Sequence, residues 1–405
     1  MKTILLLGAS ADQVFAIRTA KAMGLRALTV DQNPRSPGFE LADEYAVVST
    51  RDVRALVAFL DERCRTGGRV DGVLVMGSDI PQVVVALCEH LGTPHIPMEA
   101  AVLSTNKYDM KCRFVERGVP VPWFSRVSQA DELREMVRER HHPLIIKPLD
   151  RSGARGVLRV SDGCNVDTLF AKAAAAAFSG QVMVEEFLPG LQLSTESVMH
   201  EGRAFTAGLA DRNYEYLDRF APHVIENGGT VPTSIGDAER AGVEALIEKA
   251  ALALGVTDGV VKGDVVLTET GPVMIEMATR LSGGDFSESL VPLSSGVNYV
   301  EAAIRIAVGE TPDLGALKPK WAQAVLNRYF FPGPGTLVRI EGAEEVRRWP
   351  WVKKLEFWYR PGDVVPEIRS HADRFGVVIV VGQSIPEAER RAQQVFETIR
   401  IVIDD

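Results

Sequence analysis

Cysteine is scarce in this chain: 405 residues include only four, at Cys64, Cys88, Cys112 and Cys164. None of them forms a CxxC pair or a Cys/His group, so the sequence argues against a zinc site. A disulfide framework is equally unexpected, because a few widely spaced cysteines in a long chain are best explained as free thiols. We therefore expect a protein of the reducing, cytoplasmic compartment.

Long apolar runs and an excess of positive charge are also missing. No stretch approaches the roughly 18 apolar residues that a membrane-spanning helix requires, and the apolar start is too short for a signal peptide. The formal net charge is −9, which disfavours a general nucleic-acid binder. The basic and aromatic run at 347–354 is interpreted as surface and packing. The sequence therefore predicts neither a membrane nor a nucleic acid as a partner.

Two familiar nucleotide-binding loops are absent as well. The turn after the first apolar run, Gly8–Ala11, lacks the GxGxxG pattern of dinucleotide-binding proteins. NAD binding is therefore disfavoured, and Asp31 is interpreted as a strand-end residue or a contact to another ligand. The loop Ser152–Gly156 lies between two predicted strands, whereas a Walker loop leads into a helix.

What the sequence does contain is a regular alternation of strand and helix patterns. Residues 1–100 alternate between short apolar runs and amphipathic segments, which predicts a parallel sheet with helices on its faces. A small α/β unit follows at about 127–185, and the pattern becomes β-rich from Ala322 until a capping box at Ser384 opens the last helix. A chain of this length corresponds to about two to four packed units. We expect an α/β protein of several domains.

The segment 259–285 offers the clearest candidate site. Glu269-Thr270-Gly271 lies between two apolar runs and suits a three-residue hairpin loop with Gly in the left-handed region. That register places Asp264 opposite Glu276, with Cβ atoms roughly 4.5–5.5 Å apart. Such carboxylates repel unless a cation lies between them, and oxygen ligands suit Mg²⁺. Strand alternation adds Arg280 to the same face, where it could hold phosphate oxygens. The alternative is an exposed acidic hairpin with a surface arginine.

Two segments carry weaker signals for a nucleotide. The loop Ser152–Gly156, with Arg155, could close over a polyphosphate, although an ordinary strand connection explains it as well. Residues 185–190 follow an apolar strand and would suit an adenine slot, with Gln192 or Glu196 within reach of the ribose. The alternative for this second segment is a strand that ends at an acidic turn.

A third weak signal concerns the substrate. The segment 210–234 is polar, aromatic and Gly-bearing, which is typical of loops that shape small-molecule pockets. Asp211, Arg212 and Glu226 provide both signs of charge and would grip a zwitterion. A solvated loop remains the alternative.

Four motifs in order give the chain a resemblance to a known family. These are Asn106-Lys107 ahead of Met110, Ile146-Lys147-Pro148 leading into Ser152–Val157, Val184–Leu188, and Gly263-Asp264 together with 276–284. Taken together they resemble the ATP-grasp superfamily over essentially the whole chain. The resemblance implies an α/β fold, α+β in its core, with an N-terminal Rossmann-like domain, a small lid, a central ATP-grasp core and a β-rich C-terminal cap. We place these units at 1–105, 106–185, 186–312 and 313–405.

The resemblance also implies a role for each matched residue. The cofactors would be ATP and Mg²⁺, with Mn²⁺ as a substitute ion. Matched residues that would bind ATP are Lys107 and Lys147 at the α- and β-phosphates, the lid residues Ser152, Gly153, Ala154 and Gly156, the adenine hinge Glu185, Glu186, Phe187 and Leu188, and Gln192. Asp264 and Glu276 would hold Mg²⁺, and Arg280 with Arg155 would serve catalysis. Ser282, Gly283 and Gly284 join Asp211, Arg212 and Glu226 as candidate substrate contacts.

Three departures from the family pattern affect these roles. Asp264 stands where Glu is commoner, Ala278 where an Asn often completes the metal site, and Gln192 where Glu is frequent. Water could replace the missing Asn, because Mg²⁺ usually keeps several waters. We therefore expect the site to be active.

The closest resemblance within the superfamily is to L-amino acid ligases and to one half of the carbamoyl-phosphate synthetase large subunit. It implies an ATP-dependent carboxylate–amine ligase that forms an amide through an acyl-phosphate and releases ADP and phosphate. The partners would be a small carboxylate and a small amine, and we expect a homodimer. One alternative is a purine-pathway-like ligase or carboxylase that uses formate, glycine or bicarbonate. Another is a nucleotide-binding regulator without activity.

Overall fold

The N-terminal unit of the computed structural model is a parallel sheet with helices against it. The structure describes residues 1–140, 143–161, 163–283 and 285–404. The four strands follow the order β3-β2-β1-β4 and are all parallel. The elements are β1 (Thr3–Leu7), α1 (Ala11–Ala22), β2 (Arg26–Asp31), β3 (Glu44–Val47), α2 (Val53–Arg65), β4 (Gly72–Val75) and α3 (Pro81–Leu91). Every residue of β1 is buried, as expected for a central parallel strand.

Two short helices lead into a second, antiparallel unit, here called the lid. These helices are α4 (Met98–Leu103) and α5 (Lys107–Glu116), and the Asn106 side chain caps α5 by accepting from the backbone of Tyr108 and Asp109. The lid strands follow the order β5-β8-β6-β7. Its elements are β5 (Phe124–Val127), α6 (Ala130–Arg140), β6 (Leu144–Pro148), β7 (Leu158–Val160), α7 (Val166–Ala176) and β8 (Val182–Glu186).

The sequence Ser128–Asp131 predicts a capping box at the start of α6, but its acidic partner is wrong. Glu132, one residue further along α6, accepts from the Ser128 backbone at 2.8 Å. Asp131 instead pairs with Arg134 on the exposed face of the helix.

The rest of the chain builds one large sheet. Eight strands follow the order β13-β12-β9-β10-β11-β14-β18-β16, and a three-stranded sheet, β17-β15-β19, lies beside them. The elements are β9 (Leu191–His200), β10 (Arg203–Arg212), β11 (Gly229–Val231), α8 (Asp237–Leu254), β12 (Gly259–Thr268), β13 (Gly271–Ala278), α9 (Val291–Ser295), α10 (Tyr299–Ala307), β14 (Ala324–Phe330), β15 (Gly335–Glu341), α11 (Ala343–Val346), β16 (Val352–Phe357), β17 (Val364–Val365), β18 (Gly376–Gly382), α12 (Ile385–Thr398) and β19 (Arg400–Asp404). Strands from the last ninety residues therefore continue the central sheet.

One helix differs from the sequence-based expectation. A single helix is predicted over 290–308, but the structure divides it into α9 and α10. Gly296 ends α9 with a φ of 73°, a left-handed conformation that glycine adopts without a Cβ penalty. Asn298 then precedes the start of α10.

Two hydrophobic cores fix the central sheet to its neighbours. Helix α8 buries Val243, Ile247, Ala250 and Leu254 at helical spacing against one face of the sheet. A second core joins residues of β1 and α1 to residues of β9, β12 and α10. This second core holds the N-terminal unit against the end of β13, which is where the candidate site lies.

Candidate active site

A cleft of about 1190 Å³ lies where the N-terminal unit, the lid and the large sheet meet. Most of the residues singled out in the sequence line it: Lys107, Lys147, Ser152, Gly153, Ala154, Arg155, Glu185, Glu186, Phe187, Leu188, Gln192, Arg212, Glu226, Asp264, Glu276, Arg280, Ser282 and Gly283. The structure therefore brings residues from every part of the chain to one place. Gly284 falls outside the described residues.

The two predicted metal carboxylates are direct partners in the β12–β13 ladder, Asp264 opposite Glu276. The pairing is confirmed, but the expected three-residue turn is wrong. Thr268 pairs with Gly271, which leaves a two-residue turn and would bring Ile275 opposite Asp264 in a regular ladder. A β-bulge at Ile275 restores the predicted pair and lets both Ile275 and Glu276 line the cleft.

Glu276 lies among positive charges. The Lys107 Nζ is 3.3 Å from its carboxylate. Burial works to raise the pKa of Glu276, but Lys107, Lys147 and Lys262 outweigh it and hold that pKa well below its usual range. Asp264 is paired in turn with Lys262 and with Arg212. Both carboxylates are thus surrounded by cations.

The Glu185 side chain is not placed as its predicted role in the adenine hinge suggests. Its carboxylate is buried and binds the Lys147 Nζ at 2.5 Å and the Lys111 Nζ at 3.0 Å. The Lys111 contact lacks hydrogen-bond alignment and is a contact of charges. Burial depresses the pKa of Lys111 to about 8 despite Glu185 beside it. The side chain of Glu185 therefore anchors Lys147. Lys111 was not singled out from the sequence, because it resembles any other helix lysine.

The hinge segment after β8 follows the wall of the cleft. The backbone N–H of Glu186 donates to Trp123 at 2.9 Å, and that of Phe187 donates to Pro143 at 3.0 Å. These bonds tie the segment to the lid, so the cleft-facing surface of 186–188 is held in a fixed position.

The lid loop reaches across the cleft to two other parts of the chain. The backbone N–H of His371 donates to the Gly153 carbonyl at 3.1 Å, and a hydrogen bond from Ser152 contributes to the lowered pKa of Asp79. Gly156 does not line the cleft, and its ATP contact stays a prediction. It has a φ of 72°, and a Cβ there would come within 2.6 Å of Ala176, so it is needed for packing within the lid.

Arg280 lies beyond the end of β13 and is oriented by the N-terminal unit. Its Nε donates to Asp79 at 2.7 Å. Burial works to raise the pKa of Asp79, but the charge and hydrogen bond of Arg280, together with Ser152 and Lys107, hold that pKa below its usual value. Asp79 follows β4 in the chain and was not singled out in the sequence, because nothing local links it to a residue 201 positions away.

Arg212 and Glu226 form a buried ion pair next to Asp264. The Arg212 Nε donates to Glu226 at 2.8 Å, and its Nη1 is 3.2 Å from Asp264. Asp211 does not join them, which corrects its predicted substrate role. Strand alternation on β10 turns its carboxylate away, where it accepts from Thr233 and from the Ser234 backbone.

The C-terminal strands also contribute to the cleft, which sequence reasoning missed. The contributors are Asn327, Tyr329, Lys354, Glu356, Trp358, His371 and Arg374. Strand β14 pairs with β11 and β18 pairs with β14, while His371 and Arg374 lie between β17 and β18. These are contacts between distant parts of the chain, so no local motif marks them.

A buried carboxylate supports the loop that carries Ser282 and Gly283. Glu196 accepts from the Ser282 backbone at 3.4 Å and from the Tyr299 hydroxyl at 2.9 Å. Burial raises the pKa of Glu196 to about 7. Glu196 therefore acts beneath the loop and is not available to a ribose, which was one of the sequence-based alternatives.

The donor set fits Mg²⁺ with a nucleotide and does not fit a metal bound by protein alone. The described part of the chain has no group of three or more His, Cys, Asp or Glu side chains that could hold a metal. Mg²⁺, however, is usually bound by one or two carboxylates together with phosphates and water. Asp264 and Glu276 supply two such carboxylates, beside the lysines that phosphates would need.

Two family models match the chain. An ATP-grasp domain matches residues 104–284, and the L-amino acid ligase C-terminal domain 2 matches residues 328–404. Together these segments cover more than half of the sequence. The chain belongs to the ATP-grasp superfamily, as its motifs predict, and the fold class predicted from them is confirmed.

Relatives and solved structures agree with this assignment. The uncharacterized protein y4rH of Sinorhizobium fredii is 27% identical over 365 residues, 89% of this chain and 74% of that protein. A D-alanine–D-alanine ligase of Ralstonia pickettii is 25% identical over 328 residues, 77% of this chain and 92% of the ligase. The L-amino acid ligase from Bacillus licheniformis has the same fold, with a TM-score of 0.84, 19% identity and coverage of 100% and 99% of the two chains.

The enzyme class follows from the superfamily. The chain is an ATP-dependent ligase that forms C–N bonds. A biotin carboxylase domain from Hydrogenobacter thermophilus, solved with MgADP, has the same fold at a TM-score of 0.73 and 18% identity, covering 99% of this chain and 91% of that one. None of the described helices combines the length and apolar character needed to cross a bilayer.

Proposed function

We propose that the protein joins a carboxylate to an amine in an amide bond through an acyl-phosphate, releasing ADP and phosphate. The observation that carries this proposal is the opposition of Asp264 and Glu276 in a cleft that also contains Lys107, Lys147 and Arg280. A cleft of this size has room for a nucleotide and for small substrates beside it. Amino acids are the proposed substrates, because the C-terminal segment matches the domain of L-amino acid ligases.

The chemical difficulty is that a carboxylate is a poor electrophile. Transfer of the γ-phosphoryl group of ATP to the substrate carboxylate turns one carboxylate oxygen into a leaving group. The amine then attacks the carbonyl carbon, the C–O bond to phosphate breaks, and the amine loses a proton. The protein contributes mostly by positioning and charge neutralisation.

Each group of residues has a part in this scheme. Lys107 and Lys147 hold phosphate oxygens, and Glu185 with Lys111 keeps Lys147 in place. When bound, Mg²⁺ would be held by Asp264 and Glu276 and would neutralise phosphate charge during transfer. Arg280, oriented by Asp79, stabilises the acyl-phosphate. Ser152–Arg155 of the lid covers the phosphates and excludes water.

The reaction can be tested with one variant and one matched control. Wild-type protein, with Mg²⁺ and ATP, is offered pairs of amino acids, and ADP release and product mass are measured. Glu276→Gln should lower substrate-dependent ADP release by roughly 10²–10³-fold. Glu269→Gln makes the same change at an exposed turn residue of the same hairpin and should leave the rate unchanged. Unchanged turnover in Glu276→Gln, or ADP release without an amide product, would contradict the proposal.

Finer aspects of the function are proposed with it. The four cysteines are free thiols, which supports a reducing, cytoplasmic location. We also propose that Mn²⁺ substitutes for Mg²⁺, because the carboxylates offer oxygen ligands that suit both ions. A homodimer remains a prediction that sedimentation or light scattering would test.

A further inference from the structure

Three side chains form a compact group in the cleft beside Asp264: Arg212, Glu226 and Arg374, here called the arginine cluster. The Arg374 Nη2 donates to the backbone carbonyl of Glu226 at 2.6 Å. Its guanidinium lies 3.7 Å from the centroid of the Tyr329 ring. The Glu226 carboxylate, however, is held at hydrogen-bond distance by Arg212, and its other oxygen is 3.8 Å from Arg374. Arg374 is therefore the less well paired of the two arginines.

Arg374 has no carboxylate to itself in this cluster. Glu226 is held at hydrogen-bond distance by Arg212 and lies 3.8 Å from Arg374, and Asp264 is paired with Arg212 and Lys262. Tyrosine does not supply the missing charge, because burial raises the pKa of Tyr329 to about 12.

His371 also lies among the positive charges of this part of the cleft. It lies beside the cluster and accepts from the backbone N–H of Glu226 at 3.2 Å, so its ring is neutral there. Burial and the positive charges of Arg374, Arg212 and Lys262 hold the pKa of His371 well below its usual value. The protein thus tolerates no further positive charge at this point.

An unmatched buried guanidinium needs an anion. Arg374 is only 7% exposed, and its Nε has no hydrogen-bond partner among the described residues. A buried charge without a full counter-charge is costly, because the protein interior does not replace the lost hydration. Arg374 nevertheless lines the cleft, so an anionic ligand can reach its guanidinium from there.

We propose that Arg374 binds the free carboxylate of the amino acid that donates the amine. This inference depends on the proposed amide-forming reaction. Of two condensed amino acids, the acyl donor gives its carboxylate to phosphorylation, so only the amine donor keeps a carboxylate. Arg212 links the cluster to the metal carboxylates, because it pairs both with Asp264 and with Glu226. The amine donor's carboxylate would thus lie one side chain away from the metal carboxylates.

The subsite can be tested without knowing the natural substrate. Wild-type protein with Mg·ADP is titrated calorimetrically with L-alanine and L-phenylalanine and with the corresponding amides, which lack the negative charge. KM for the same compounds as amine donors is measured by ADP release. The free acids should bind at least about tenfold more tightly than the amides, a difference of about 1.4 kcal/mol. Amides that bind as tightly as the acids, or acids and amides that both fail to bind, overturn the inference.

Variants then locate the preference at Arg374. Arg374→Gln should abolish the preference for acid over amide, and Arg374→Lys should keep part of it, because the charge remains. Arg219→Gln is the control, since Arg219 is exposed and contacts Tyr216, Phe220 and the Phe331 carbonyl. If Arg374→Gln weakens acid and amide equally, Arg374 is structural and the inference is wrong.

The outcomes separate this inference from the reaction itself. If Arg374→Gln does not fold, the inference is tested by the preference of the wild-type protein for acids over amides and by the preference that Arg374→Lys keeps. Absence of ADP release with every pair contradicts the proposed function, whereas the calorimetric preference for acids tests the subsite independently of turnover.

Discussion

Replacing Glu185 by Gln tests the role of the buried charges beside the nucleotide cleft. The Lys111 side chain is fully buried, and those of Lys147 and Glu185 are 4% and 5% exposed. Removing one partner of a buried ion pair typically costs about 3–5 kcal/mol, because the remaining charge stays buried and unpaired. Glu185→Gln leaves two lysines unpaired, so we expect the free energy of opening of β6 and β8 to fall by at least about 3 kcal/mol.

The loss should have a characteristic pH dependence. Lys111 already has a depressed pKa of about 8, and removal of Glu185 lowers the pKa further, so Lys111 can shed its proton. A lysine with a lower pKa in the folded state binds fewer protons there than in the unfolded state. Stability then rises with pH up to the unfolded pKa, near 10.4. The variant should therefore recover part of its stability between about pH 7 and pH 10.

Native-state hydrogen exchange measures this effect locally, which suits a chain with several packed units. Glu186→Gln is the control, because it makes the same chemical change one residue later, at a half-exposed side chain. A difference below about 1 kcal/mol between the two variants in the opening of β6 and β8 would refute the proposed charge anchor.

Three further predictions concern residues in and around the β12–β13 hairpin. Asp79→Asn should slow substrate-dependent ADP release about tenfold while the Kd for ATP changes little, because it removes the partner that orients Arg280. Glu196→Gln should flatten the fall of Tm as pH rises from about 5 to 8, since the raised pKa of Glu196 makes its charged form unfavourable. Deleting Ile275 should keep the opposition of Asp264 and Glu276, so ADP release should fall far less than in Glu276→Gln.

Sequence patterns predict the elements that carry strong local signals. The sequence predicts helices over Asp237–Leu254 and Pro81–Leu91, and α8 and α3 have these bounds. The strand predicted over Ile4–Leu7 is β1, which begins one residue earlier. These segments have clear periodicity and clear stops, such as Gly92 after α3, which has a φ of 66°. The order of the four motifs was likewise sufficient to predict the superfamily.

Contacts between distant parts of the chain are what the sequence does not reveal. Asp79 and Arg280 are separated by 201 residues, and Arg374 reaches Glu226 across 148. Neither pair leaves a local pattern, because it depends on how β4 meets β13 and how β18 enters the sheet. Lys111 is similar: only the buried position of Glu185 distinguishes it from a solvated lysine on α5.

The predicted pairing of Asp264 with Glu276 is correct, although the turn type from which it was predicted is not. In a regular strand, Met274 in the core and Ile275 in the cleft would be followed by Glu276 in the core. The bulge at Ile275 breaks this alternation, so that Met274 and Met277 are both in the core while Glu276 lines the cleft. The turn type therefore does not place the metal carboxylate in the cleft; the bulge does. Because a bulge has no sequence signature of its own here, the orientation of Glu276 could be established only from the structure.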